Sequence, residues 1–144
     1  MKYTYIFFGL FLFALPSMSW GADRTLDCKY DYTVYLAKAA NNAQQDDGHE
    51  GLTLSINFDS KLLVQDNIDH IPFTIEGDIL SYKLVGTHKK YPAQYYYQLN
   101  AVSRRLKLEE RGRVANHEDW WKVDSDGYAS IHNYFYDCVW INYK

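Results

Sequence analysis

The chain is predicted to fold as an all-β domain, a single antiparallel β-sandwich or small barrel of about eight strands closed by one disulfide. Apolar residues recur at every second position through most of the sequence, turn residues interrupt them every 8 to 12 residues or so, and almost no helical period is present. Tyrosine supplies 14 of the 144 residues, an enrichment that suits half-buried strands, where a ring packs while its hydroxyl stays wet. With 47% hydrophobic residues, 8 Gly and 3 Pro, collagen-like, low-complexity and disordered classes are excluded, and one core is expected.

The first element is not part of that domain. Lys2 precedes an apolar run from Tyr5 to Leu15, then Pro16 and the small residues Ser17, Ser19, Gly21 and Ala22, the order of a secretory signal peptide over residues 1–21. The run is about 11 residues, against roughly 20 for a membrane-crossing helix, so no stable anchor is expected after cleavage. Cutting after Gly21 places Gly21 and Ser19 where small residues are preferred, whereas cutting after Ala22 would place Trp20 there. Lipid anchoring would need a cysteine directly after the run, and Cys28 lies beyond Asp23 and Arg24. Residues 22–144 are therefore expected to be one soluble β domain, exported to the periplasm or the exterior. Loss of Lys2 moves its formal charge from −3 to −4.

In that domain Leu26, Cys28, Tyr30, Tyr32, Val34 and Leu36 share one face of a first strand, opposite Asp27, Lys29, Asp31 and Thr33. The polar stretch Ala37 to Asp47 lacks an apolar face and is expected to be a mobile loop. Leu52 to Phe58 and Lys61 to Gln65 flank an Asp59-Ser60 turn. Ile71, Phe73 and Ile75 lead into Gly77-Asp78, which suits a type II′ turn, and Ile79 to Val85 follows up to a break at Gly86. After Pro92, Tyr95 to Leu99 and Arg104 to Glu109 form a third hairpin, with Leu106 and Leu108 opposed by Arg105, Lys107 and Glu109. Arg111 to Gly127 shows no period and reads as a long loop, the kind that is often functional. Tyr128 to Tyr143 is apolar on both faces, as a central strand or one that bends between sheets would be.

Export places Cys28 and Cys138 in an oxidising compartment, and a bridge between them would staple the first strand to the last. A reactive or metal-binding pair is disfavoured, because neither has a second Cys or a His at ligand spacing.

The order Tyr95-Tyr96-Tyr97-Gln98-Leu99-Asn100, short turn, Arg105-Leu106-Lys107-Leu108, with a Cys late in the last strand, resembles the closing half of many small exported bacterial proteins of unknown function. The resemblance covers about a third of the chain. It implies a β-rich exported domain and carries no catalytic residue with it.

Chemistry-bearing motifs are few. His117-Glu118-Asp119, followed by Trp120 and Trp121, is the most polar-aromatic cluster, but consecutive side chains on a loop diverge and no second His stands at helical spacing. Asp124-Ser125-Asp126-Gly127 has the look of a calcium-loop centre, yet Lys122 and Asn133 fall where carboxylates are required, so it reads as a turn. Asp46, Asp47, His49 and Glu50 read as a solvated loop. His49, His70, His88, His117 and His132 are scattered, with no nucleophile elbow or phosphate loop beside them. No catalytic residue, metal or cofactor is assigned. Net acidity argues against nucleic acid.

Two functions remain in contention. The first is binding or inhibition of another exported or envelope protein, an envelope enzyme or secreted toxin, through Trp120, Trp121, His117, Glu118 and Asp119. The second is a small ligand held in a barrel lined by Tyr32, Tyr97, Tyr136 and Trp140. A deep cavity would favour the second, and a filled core the first. An enzyme ranks third.

Overall fold

Alternation of this kind closes into a ring only if each long strand finds two neighbours, and the computed structural model shows that eight strands do. It describes residues 23–36, 42–88, 90–113 and 123–141. The predicted signal segment and the cluster from His117 to Trp121 lie outside those residues.

The strands are β1 (Arg24–Tyr35), β2 (Gln44–Gln45), β3 (Leu52–Asn57), β4 (Leu62–Gln65), β5 (Ile68–Glu76), β6 (Ile79–His88), β7 (Tyr91–Asn100), β8 (Arg105–Arg113) and β9 (Tyr128–Ile141). From β3 onward each pairs antiparallel with the next, β1 pairs with β3, and β9 returns to β1. The result is a closed eight-stranded antiparallel barrel, with β2 a two-residue addition beside the end of β1. Closure leaves no free sheet edge along the β1–β9 seam. Cys28 and Cys138 are direct cross-strand partners on that seam and are disulfide-bonded, with Cα atoms 4.0 Å apart.

The three hairpins fall where the turn residues put them. Gly77 has φ of 59° while Asp78 does not adopt positive φ, as a type II′ turn requires. At the β7–β8 turn, Asn100 Oδ1 accepts from the backbone N–H groups of Val102 and Ser103. These turns lie at one end of the barrel, called here the lower end. Above them Leu26, Leu54, Ile56, Leu63, Leu80, Leu99 and Leu106, each at most 2% exposed, fill the interior. Burial on this scale contributes roughly 1.5 to 3 kcal/mol per side chain.

Four expectations need correction. The face of β1 is not continuous: Tyr30 pairs with Tyr136 but Tyr32 with Phe135, so Asp31 is an inserted bulge residue. One extra residue reverses the pleat. Thr33 becomes fully buried, and Tyr32 is turned outward, where it stacks on Phe135 beneath the Arg105 guanidinium. Gly86 is not a break; it pairs with Ala93 inside β6, where a side chain would crowd the Tyr95 ring. β8 runs on to Arg113 rather than ending near Glu109, so Arg111 to Arg113, expected to open a long loop, are strand. The described part of the 37–47 stretch is tied down: β2 pairs with β1, and Tyr35 donates to the Asp47 carboxylate at 2.6 Å.

A second bulge matters for the upper end. Glu110 pairs with His132 but Arg111 with Ser130, which leaves Ile131 as the extra residue on β9 and turns it, only 2% exposed, against Gly112. A Cβ at Gly112 would collide with Ile131 Cδ1. Gly112→Ala should therefore cost about 1 to 3 kcal/mol in a denaturant melt, and adding Ile131→Val should return part of it. Equal stability of Gly112→Ala and the parent would refute the packing described.

Candidate functional site

Above the aliphatic layer the interior turns aromatic and polar. Tyr82 on β6 and Tyr97 on β7 are cross-strand partners with rings stacked 4.5 Å apart. Buried Gln65 at the end of β4 ties both: Tyr82 donates to its Oε1 at 2.8 Å, and its Nε2 donates to the Tyr97 hydroxyl at 3.2 Å. Burial pushes the hydroxyls of Tyr82 and Tyr97 up, so both stay protonated at neutral pH. Tyr82→Phe leaves the Gln65 oxygen without its donor and should cost about 1 to 2 kcal/mol. An unchanged denaturation midpoint would show that water replaces the hydroxyl.

Higher still, the pairing of β8 with β9 sets Glu110 opposite His132, and the pairing of β7 with β8 sets it beside Tyr95. Glu110 is only 4% exposed, and three donors converge on its carboxylate. His88 Nδ1 lies 2.7 Å from Oε1; Oε2 takes the Tyr134 hydroxyl at 2.8 Å and His132 Nδ1 at 3.1 Å. Burial by itself would raise this carboxyl, but hydrogen bonds from His132 and Tyr134 and the charges of His88 and His132 outweigh it, and the group is held down at about 2. Burial and the bond to Glu110 push the Tyr134 hydroxyl far up.

The upper rim is uneven. β4 ends at Gln65 and β5 starts at Ile68, whereas β6 continues to His88. The β5–β6 ladder reaches only as high as Phe73–Tyr82, so the wall is split above that point. A cavity of about 720 Å³ occupies this upper interior and opens to solvent. Its floor and walls are Gln65, Leu84, Tyr95, Tyr97, Leu108, Glu110, Tyr134 and Tyr136; at its rim stand His49, Lys83 and two exposed apolar residues, Ile68 and Val85. His49 packs edge-on against Tyr30 and Tyr134, and Asp47 beside it accepts from Tyr35 and donates its N–H to the Tyr30 hydroxyl. That bond to Tyr35 is the main cause that lowers Asp47 and raises Tyr35 to about 12.

A second concavity, of about 860 Å³, is a surface groove near the lower end, lined by polar residues such as Asp23, Asn57, Ser60 and Asp69 together with Ile56, Leu62 and Leu63, with Arg24 lying over Trp140. Of the four aromatics assigned to a barrel lining, Tyr97 and Tyr136 are there. Tyr32 faces outward, and Trp140 belongs to this lower groove. The Asp124 turn is a turn: Oδ1 accepts from the N–H groups of Asp126 and Tyr128, and Oδ2 takes the Arg111 guanidinium at 2.6 Å.

Glu110, His88 and Tyr134 were not singled out from the sequence. Parity would have found the first, since Glu110 continues the inward series Leu106, Leu108 once β8 is carried past Glu109. The fold and the site together define an up-and-down β-barrel with a filled lower half and an open, tyrosine-lined upper half. Compared with protein-family models, curated proteins and solved structures, the chain matches none of them.

Proposed function

We propose that this is an exported, soluble β-barrel that binds a small, largely apolar ligand in the upper half of its interior. The carrying observation is the cavity of about 720 Å³, walled by Leu84, Leu108 and four tyrosines and entered past exposed Ile68 and Val85. Closed eight-stranded barrels either fill with side chains or hold one small ligand, and this one does the first below and leaves room for the second above. Leu84, Leu108 and the tyrosine rings suit an apolar body, and the polar groups among them would fix its orientation. The test is titration with N-phenylnaphthylamine, whose emission rises in apolar surroundings. Saturable binding to the parent, lost in Leu84→Trp while the denaturation midpoint holds, is the expected result. Binding unaffected by Leu84→Trp, or none by the parent, would sink the reading.

Recognition of another exported or envelope protein is the second reading. It rests on Trp120 and Trp121, flanked by His117, Glu118 and Asp119, outside the described residues. One stoichiometric partner captured from an envelope extract by the parent but not by the double Trp→Ala variant would establish it. Export itself rests on the signal pattern, and a disulfide fits a protein outside the cytoplasm. N-terminal sequencing of the protein recovered outside the cytoplasm should begin at Ala22; an N-terminus at Met1 would refute cleavage.

A further inference from the structure

The deep end of the cavity carries two hydroxyl groups whose protons have no acceptor among the described residues. Tyr136 is 6% exposed, lines the cavity, and its hydroxyl has no hydrogen-bond partner among the described residues. Tyr97, also 6% exposed, accepts from Gln65, but no acceptor for its own proton is present among the described residues. The Tyr136 oxygen is not sealed off, so its proton faces the open cavity, where an acceptor on an occupant would take the place of water. The two are neighbours across β8: Leu106 pairs with Tyr136 and Leu108 with Tyr97. Burial and the adjacent Tyr97 push the Tyr136 hydroxyl up to about 12, so at neutral pH it keeps its proton and can donate it.

Building on the ligand-binding reading, we infer that the occupant is a neutral molecule that carries an acceptor oxygen, a carbonyl or ether, at its leading end, seated on the Tyr97 and Tyr136 hydroxyls. Its apolar body lies along Leu84, Leu108 and the Tyr95 ring toward Ile68 and Val85. A carboxylate is disfavoured because Glu110 lines the same wall. An ammonium is disfavoured because the Glu110 oxygens already accept from His88, His132 and Tyr134. The cation at the rim, Lys83, stands away from the floor formed by the two tyrosines and Gln65.

Four matched probes decide it: acetylnaphthalene, ethylnaphthalene, naphthoate and naphthylmethylammonium, titrated against the parent and Tyr136→Phe at neutral pH. The ketone should bind the parent roughly fivefold tighter than the hydrocarbon, the worth of one added hydrogen bond, and both charged probes should bind more weakly than either. Tyr136→Phe should remove much of the ketone's advantage, leaving what the Tyr97 hydroxyl still donates, and leave the hydrocarbon unchanged. That variant removes a hydroxyl with no partner, so its folding stability should match the parent's, and a denaturant melt checks this. Equal binding of ketone and hydrocarbon by the parent overturns the inference while leaving the ligand-binding reading intact. So does tighter binding of either charged probe, or an equal loss of all probes in Tyr136→Phe. No binding of any probe overturns both.

Discussion

Cys28→Ala combined with Cys138→Ala is expected to lower the unfolding free energy by about 4 to 5 kcal/mol and the melting temperature by roughly 15 to 20 °C. The bridge spans 110 residues of sequence, and a loop of that length confines the unfolded chain strongly. Its position adds a structural reason. Elsewhere on their seam β1 and β9 are held by ladder bonds and ring contacts such as Tyr32 on Phe135, and both cysteines are buried, Cys28 fully and Cys138 at 3% exposed. Small domains have only about 5 to 15 kcal/mol in total, so the variant should be near the edge of folding at 37 °C. Guanidinium melts of the parent and the variant at neutral pH measure the difference. A loss under about 1 kcal/mol would mean that the seam is held by its ladder and packing, with the unfolded chain little constrained.

The second large effect is a change in the acid limb of stability. Glu110 is held near 2 in the folded protein, against an ordinary value of 4.5. A carboxyl depressed on folding contributes stability that is fully present above its unfolded value and is lost as pH falls through the folded one. Between pH 5 and pH 2 the parent should therefore lose about 3 kcal/mol that Glu110→Gln does not, the worth of a shift of this size. At pH 7 the variant should be less stable by a similar amount, because His88 and His132 then face an amide instead of a carboxylate. Other depressed carboxyls, Asp47 and Asp124, titrate in both proteins and cancel in the comparison. Parallel curves of stability against pH for parent and variant would rule out a buried carboxylate in this role.

The fold was legible where a strand has one wet face. Leu52, Leu54 and Ile56 alternate with exposed neighbours, and β3 forms where that pattern says. The paired cysteines were legible from compartment and spacing, although their being adjacent across one ladder was not. Legibility failed at the bulges. Nothing in the order Tyr30-Asp31-Tyr32 announces an inserted residue, because a bulge belongs to the pairing with β9 and not to one strand's own pattern. A single insertion there sent Tyr32 outside and Thr33 inside, which undid half of the expected lining. The site was harder still. Its carboxylate, its two histidines and its tyrosine come from β6, β8 and β9, and only register joins Glu110 to His132 across a ladder. The periodicity of one strand carries no information about its partner's register.

The seam has one more consequence, for load. Both ends of the described chain leave the barrel side by side at the lower end, where Thr25 pairs with Ile141. Tension applied through those ends would peel the two strands apart one pair at a time, the weakest way to pull on a sheet. It would meet a covalent stop after the pairs of Thr25, Leu26 and Asp27, because the next pair is Cys28 with Cys138. With the bridge closed, the pulling force passes from tail to tail through the sulfurs and bypasses the cavity altogether. In an optical trap the oxidised protein should extend by only those few residues before the tether stiffens, whereas after reduction the whole barrel should unravel at low force.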